Sequence, residues 1–362
     1  VRAFRLLDLQ SRAPGGDSPP LVGRTRELEQ LHRLLDEAEA SRSARLVTIA
    51  ADAGLGKTRL AAELALTRSG TAEVLRGRCL PYGDGITLWP LADAIRRRAE
   101  IGDDDDAVSA SAKLACLAGD AGEGVTERLA AVVGLSPEPY PVDDLLWAFR
   151  SLLAHLARER PVLLVVEDVH WAEPTLLELL TRLLESSEYP LLIVCPCRPE
   201  LLETHPDWPP SERATRMVLE PLEDAATAAL LASALGGSVS GEILDRVVDA
   251  AGGNPLYAEQ LLQMLADDGR IHEQDGLWVA AGRIESITVP PSIQALLAAR
   301  LDALTNDERA IVQPAAVVGY QFAEGAVRAL VPETREATVG PGLVALTAKQ
   351  LVQELEGGEP GV

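Results

Sequence analysis

Apolar residues recur at helical spacing between residues 27 and 38, at Leu28, Leu31, Leu34, Leu35 and Ala38, which predicts an amphipathic helix there. A short apolar run, Arg45–Ala50, reads as a strand, and residues 56–67 as a helix with Leu60, Leu64 and Thr67 on one face. Glu73–Arg78 is a second strand, and Leu145–Arg158 a helix closed by Pro161. Val162–Val166 is wholly apolar, as expected of a strand buried on both faces of a parallel sheet. A helix over Pro174–Glu185 comes next, with proline at a permitted N-terminal position, then strands at Leu191–Cys195 and Met217–Leu219. Strands alternating with helices predict an α/β fold with a parallel sheet flanked by helices.

Beyond about residue 222 the pattern turns helical, over Asp224–Leu235, Glu242–Ala251, Leu256–Asp267, Ile293–Leu304 and Asp307–Val318. Arg270–Ala280 reads as a hairpin turning at Asp275-Gly276. Helices plus one hairpin suit a winged-helix-like segment. Pro314 is expected to kink or shorten the last of these helices, because it lacks an N–H and crowds the preceding turn. The expected organisation is a linker or the tail of a preceding domain over 1–20, an α/β domain over 21–221, a helical lid with hairpin over 222–285, a winged-helix-like segment over 286–350, and a disordered tail over 351–362. Residues 102–124, with the acidic run Asp103–Asp106 and many small side chains, read as a solvated loop or insertion.

The chain has 362 residues, 47% apolar and 24% charged, enough to bury a sizeable core, and a net charge of -22. The charge is uneven. Residues 1–100 carry 16 Lys/Arg and 13 Asp/Glu, a net of +3; residues 101–362 carry 17 and 42, a net of -25. Such a surface repels phosphate backbones and anionic lipid, which argues against nucleic-acid binding by this chain alone and against a membrane partner. No aliphatic run approaches the ~20 residues of a spanning helix, and a cytoplasmic location is the expectation. Cys79, Cys116, Cys195 and Cys197 lack zinc spacing and read as buried free thiols. Arg96-Arg97-Arg98 reads as a solvated helix face, and Trp89, Trp147 and Trp278 as core or interface anchors.

The strongest chemical signal is Ala51-Asp52-Ala53-Gly54-Leu55-Gly56-Lys57-Thr58, lying between a predicted strand and a predicted helix. Small residues let a backbone wrap a phosphate chain, successive N–H groups point inward, and the helix start adds positive potential. Lys57 is placed to neutralise the β- and γ-phosphates and the Thr58 hydroxyl to hold Mg²⁺. Ala51 occupies a position usually held by glycine; it costs little if its φ is negative and more if φ is positive. The second signal is Glu167-Asp168 at the end of the buried run Val162–Val166. Two carboxylates there suit one that binds Mg²⁺ and one that polarises water. Glu167 is placed on the metal side and Asp168 as the base, with their order left open by the sequence.

The segment Val166-Glu167-Asp168-Val169-His170-Trp171-Ala172-Glu173 resembles the Walker B region of STAND-type, AAA-related regulatory ATPases. That family includes large ATP-binding LuxR-type regulators, actinobacterial pathway regulators and ATPase-fused cyclases. Glu173 departs from its final aspartate. Leu21-Val22-Gly23-Arg24-Thr25-Arg26-Glu27-Leu28 resembles the family's start, Cys79–Leu91 its next block, Cys197-Arg198-Pro199-Glu200 its sensor arginine, and Gly253-Asn254-Pro255-Leu256-Tyr257 its G-x-P element. Val289–Ile293 and Arg300-Leu301-Asp302 resemble its winged-helix start. The resemblance implies a P-loop NTPase fold and an ATP site lined by Val22, Gly23, Arg24, residues 51–58, Arg59 and Pro255, with Mg²⁺ on Thr58, Glu167 and Asp168. It further implies Lys57, Glu167, Asp168 and Arg198 as catalytic groups. His170 and Trp171 are read as orienting and packing residues. The implied function is a nucleotide-operated switch with slow Mg²⁺-dependent ATP hydrolysis, in a signalling or transcription-regulatory protein, acting on an output domain or partner and able to form a nucleotide-dependent oligomer. A non-hydrolysing interaction scaffold and an origin-type DNA-associated ATPase are the competing readings, the latter opposed by the acidic charge.

Overall fold

A computed structural model of the chain describes residues 3–6, 21–80, 87–102, 105–235, 238–274, 277–281, 301, 304–319, 321–349 and 351–354. It divides into two compact units. One comprises Arg24–Ala53 and Lys57–Glu220; the other comprises Val1–Gly23, Gly54–Gly56 and Pro221–Val362.

The first unit is built on a five-stranded parallel sheet. Its strands are β2 (Ala44–Ala50), β3 (Glu73–Arg78), β4 (Val162–Glu167), β5 (Leu191–Cys197) and β6 (Ala214–Val218), in the order β3-β4-β5-β2-β6. Every pairing is parallel, including Ala50↔Cys197, Val165↔Val194 and Arg78↔Glu167. All seven residues of β5 and the first five of β4 are buried, which explains their unbroken apolar composition. Helices cover the sheet with the apolar stripes predicted. Helix α1 (Thr25–Ser41) buries Leu31, Leu34, Leu35 and Ala38, and α7 (Pro174–Ser186) buries six leucines behind its N-terminal proline. Helix α2 is Lys57–Arg68 and α6 is Val142–Leu156. Helix α3 (Trp89–Arg98) lies directly on β3, because Gly77 has no side chain: a Cβ there would stand 1.7 Å from the Pro90 carbonyl oxygen.

Three expectations fail in part in this unit. The segment 102–124, expected as a solvated loop or insertion, is not a loop: it contains helix α4 (Ala107–Ala118), with α5 (Val125–Val132) after it. Alanine is the best helix former, Ala110, Leu114, Leu117 and Ala118 supply a buried stripe, and the Asp106 carboxylate caps the helix by accepting from Ser109 N–H at 2.7 Å. Asp106, the last residue of the acidic run, is thus a helix start. Asp105 pairs with Lys113 at 2.6 Å, and hydrogen bonds from Lys113, Ser109 and the Gly102 N–H hold its carboxyl at about 2; residues 103–104 lie outside the described residues. Trp89 and Trp147, expected as core or interface anchors, are 39% and 46% exposed, which removes only the core role. The Arg128 guanidinium lies over the Trp147 ring at 5.4 Å. Cys79, Cys195 and Cys197 are buried thiols, as expected, but Cys116 is exposed. The basic run ends α3, with Arg97 on Asp93 and Arg98 on Glu73.

In the second unit α9 (Asp224–Leu235), α10 (Gly241–Ala251) and α11 (Pro255–Asp267) share an apolar core with Ile271. Strands β8 (Ile271–Gln274) and β9 (Leu277–Ala280) form the predicted hairpin, pairing Gln274 with Leu277, and β7 (Ser238–Val239) adds alongside β9; residues 275–276 lie outside the described residues. The Gly54 carbonyl, grouped with this unit, accepts from Leu256 N–H at 3.3 Å. The helix expected over 293–304, and the segments Val289–Ile293 and Arg300–Asp302, lie outside the described residues apart from 301 and 304. Helix α12 (Asn306–Val318) runs through Pro314 without ending there. A capping box of Thr305 and Glu308 starts it, and Ile311 and Ala315 are buried on either side of the proline. Residues Ala3–Leu6, expected in a linker or the tail of a preceding domain, form β1. It is the central strand of an antiparallel sheet between β10 (Gln321–Ala323) and β11 (Val352–Glu354), the last within the expected tail.

Candidate functional site

Because β2 to β6 all run the same way, the segments that leave their C-terminal ends gather at one edge of the sheet, the edge where open α/β folds place ligands. The loop 51–56 leaves β2, the acids end β4, and Arg198 comes directly after β5, which stands between β2 and β4. The sheet order therefore sets Arg198 between loop and acids.

Ala51 is buried, its N–H donates to the Cys197 carbonyl at 3.3 Å, and it is not among the residues with positive φ. An alanine side chain is accordingly unstrained at this position. The left-handed backbone falls instead on Gly54 and Gly56, at φ 86° and 91°. Lys57 opens α2 and is only 6% exposed; its Nζ donates to the carbonyls of Ala51 at 2.7 Å and Asp52 at 2.8 Å. Burial lowers its pKa, and the nearby Asp168 charge opposes that. Thr58 sits half-buried in the first turn of α2, and Arg59 reaches Glu63 at 3.2 Å.

Asp168 succeeds β4 with φ 56°, an uncommon conformation for a side chain other than glycine, and is 7% exposed. Both acids carry a cation from the neighbouring strand: Arg76 Nη2 donates to Glu167 Oε1 at 2.6 Å, and Arg78 Nε to Asp168 Oδ2 at 2.7 Å. Sequence reasoning missed both arginines. Their signal was a pair of cations two residues apart at the end of a strand, hence on one face of it.

Arg198 stands at the N-cap position of α8 (Pro199–Thr204) without a side-chain capping bond, and its buried Nε has no hydrogen-bond partner among the described residues. His170, in a single 3-10 turn after Asp168, likewise has both ring nitrogens buried and unpartnered. Burial lowers the imidazole pKa to about 4, with Asp168 opposing and Arg198 and Lys57 assisting. Its ring lies 5.1 Å from that of Trp171, which is itself exposed. The charges of Asp168 and Arg198 also act on Lys57, so these four residues form one electrostatic cluster.

The remaining predicted residues have mainly structural settings. Arg24 is buried; its guanidinium donates to Glu27 at 3.1 Å and to the Glu220 carbonyl at 2.7 Å. Val22, Gly23 and Pro255 belong to the second unit, where Gly23 adopts φ 70° against Leu222 and Ala226. Pro255 opens α11, whose start is capped by Asn254 accepting from Tyr257 N–H at 3.1 Å.

A polyphosphate with a divalent cation fits the cluster. Among the described residues, a buried ammonium held by two carbonyls, a guanidinium Nε without a partner and an imidazole without a partner are groups that phosphate oxygens would satisfy. The Thr58 hydroxyl and the two carboxylates are hard oxygen donors of the kind Mg²⁺ takes.

Comparison with known proteins finds similarity to this chain in sequence and in structure. Residues 20–194 match the family described as AAA ATPase domain. An uncharacterized protein of Rhizobium meliloti (strain 1021) is 28% identical in an alignment 336 residues long that covers 87% of this chain; the chain spans 31% of that relative's length. Among solved structures, Cdc6p from Pyrobaculum aerophilum aligns with a TM-score of 0.48 and 16% identity, covering 98% of this chain and 93% of that one. A signal transduction ATPase with numerous domains (STAND) and a tetratricopeptide repeat sensor, from Pyrococcus horikoshii, aligns at 0.45 and 18%, covering 82% and 35%. The ORC1 protein of Aeropyrum pernix, solved in complex with DNA, aligns at 0.42 and 13%, covering 96% and 88%. No helix among the described residues is long and apolar enough to cross a membrane. Over residues 20–194 this chain is similar to AAA ATPase domains.

Proposed function

We propose that this chain binds ATP with Mg²⁺ at the edge of the parallel sheet, hydrolyses it slowly, and serves as a nucleotide-operated switch for an output domain or partner in a regulatory protein. One observation carries the reading: Lys57, Asp168, Arg198 and His170, from the ends of three strands, share one electrostatic neighbourhood that contains buried polar atoms without partners among the described residues. The loop amides and Lys57 would bind the phosphates, and Arg198 would meet the terminal one. Thr58 and Glu167 would hold Mg²⁺, which when bound neutralises phosphate charge. Asp168 would orient the attacking water and take its proton. Products are ADP and phosphate. Binding and release of the terminal phosphate would act on Arg198 and Lys57, and through them on the protein's conformation.

The regulatory role is supported by the family match and by the resemblance of residues 166–173 to the switch ATPases. Phosphate release from Mg²⁺–ATP is the test. Wild type is expected to turn over at well below the rates common for metabolic enzymes. Glu167→Gln and Asp168→Asn should each cut that rate at least about tenfold. Equal release by wild type and both variants would contradict the reading.

A further inference from the structure

The two β3 arginines do something that a phosphate loop and an acid pair do not themselves require. Arg76 and Arg78 are neighbours on one face of the strand, and the register sets Arg78 directly beside Glu167. The Arg76–Glu167 pair is 27% and 12% exposed at the two side chains, and the Arg78–Asp168 pair 24% and 10%. Ion pairs buried to this extent are screened far less by salt than surface pairs, and breaking one leaves a partly buried charge behind. The backbone of the strand is held in place between and beyond the two arginines. Gly77 between them leaves no room for a Cβ beneath Pro90, and the Arg78 N–H is held by Asp93 at 3.2 Å. The Cys79 N–H, one residue on, is held by the Glu167 carbonyl at 2.9 Å.

We propose that Arg76 and Arg78 are positioning residues that act as built-in counter-ions of Glu167 and Asp168 and set how tightly the site takes a divalent cation. This rests on the ATP and Mg²⁺ reading above. Each guanidinium occupies an oxygen lone pair that Mg²⁺ would use, and each positive charge repels the cation. The acid pair is thereby neutralised by the protein and held in a fixed geometry, and Mg²⁺ binds it in exchange for a guanidinium contact. Binding is accordingly weaker than two free carboxylates would give, and metal occupancy depends on the nucleotide's own phosphates arriving with it.

The test uses the 362-residue chain and the fluorescent probe mant-ATP, with Mg²⁺ titrated from an EDTA baseline at fixed probe. The readout is the Mg²⁺ concentration that half-saturates the metal-dependent fluorescence change. Arg76→Gln and Arg78→Gln should each lower it, by on the order of tenfold, while mant-ATP affinity in EDTA stays within about threefold. Arg76→Lys and Arg78→Lys keep the charge and should remain within about threefold of wild type. They also serve where a glutamine variant fails to fold, since a lysine variant that shifts as far as tenfold contradicts the charge argument. Half-saturation unchanged or raised in the glutamine variants would overturn the proposal. Wild type that binds no mant-ATP, with or without Mg²⁺, would overturn the underlying ATP reading and the proposal with it.

Discussion

Alanine 51 stands where phosphate loops usually carry glycine, yet its backbone avoids the left-handed region, which the loop reserves for Gly54 and Gly56. Ala51→Gly is therefore expected to change mant-ATP affinity by less than about threefold, whereas Gly56→Ala, at φ 91°, should cost about 1–2 kcal/mol of stability in urea unfolding and weaken the probe. His170 gives a pH signature. Its folded pKa lies near 4, below the ordinary 6.5, so the folded state binds fewer protons than the unfolded chain between those values. Its contribution to stability is present above 6.5 and is lost as pH falls towards 4. The urea midpoint should drop between pH 7.5 and 5.5, and His170→Gln should make that drop smaller; an equal drop in both proteins would contradict the assignment. At this scale the sequence was legible where chemistry is local. Lys57 succeeds its glycine loop directly and the acids end a buried run. Arg76 and Arg78 escaped notice because their partners lie 91 and 90 residues away.

Elements were legible wherever an apolar stripe or run was long, as in α1, α7, β4 and β5, since burial dictates those patterns. Residues 102–124 were misread because four adjacent acids were weighed against the alanines that come after them. One of those acids is a helix cap, whose meaning depends on the residue three positions later. Asp106→Ala should cost about 1 kcal/mol, lowering the melting temperature of this unit by about 2–4 °C. Position 77 is a sharper test of how α3 meets β3. Gly77→Ala pushes a methyl group into the Pro90 carbonyl and should cost about 3 kcal/mol by urea unfolding, and it should disturb the two flanking arginines. A cost below about 0.5 kcal/mol would mean that the helix lies further from the strand than described.

The whole molecule joins distant stretches of chain in ways no local pattern announces. Residues 3–6 form the middle strand of a sheet whose edges are residues 321–323 and 352–354, so the unit grouped around residues 221–362 also needs the start of the chain. Four residues of strand among turn-rich neighbours carry too little periodicity to be read as such. Deleting residues 1–9 should remove hydrogen-exchange protection from the amides of 321–323 and 352–354 and leave β4 and β5 protected. The parallel sheet, by contrast, was implied by the alternation of strands and helices, and its order is what gathers Lys57, Asp168 and Arg198 at one edge. Titration calorimetry of Mg²⁺–ATP into the wild-type chain and into Lys57→Ala tests that gathering most directly. One site per chain in wild type, weakened at least about tenfold by the substitution, is the expected result; no heat in wild type, or equal affinity in both, would contradict the account.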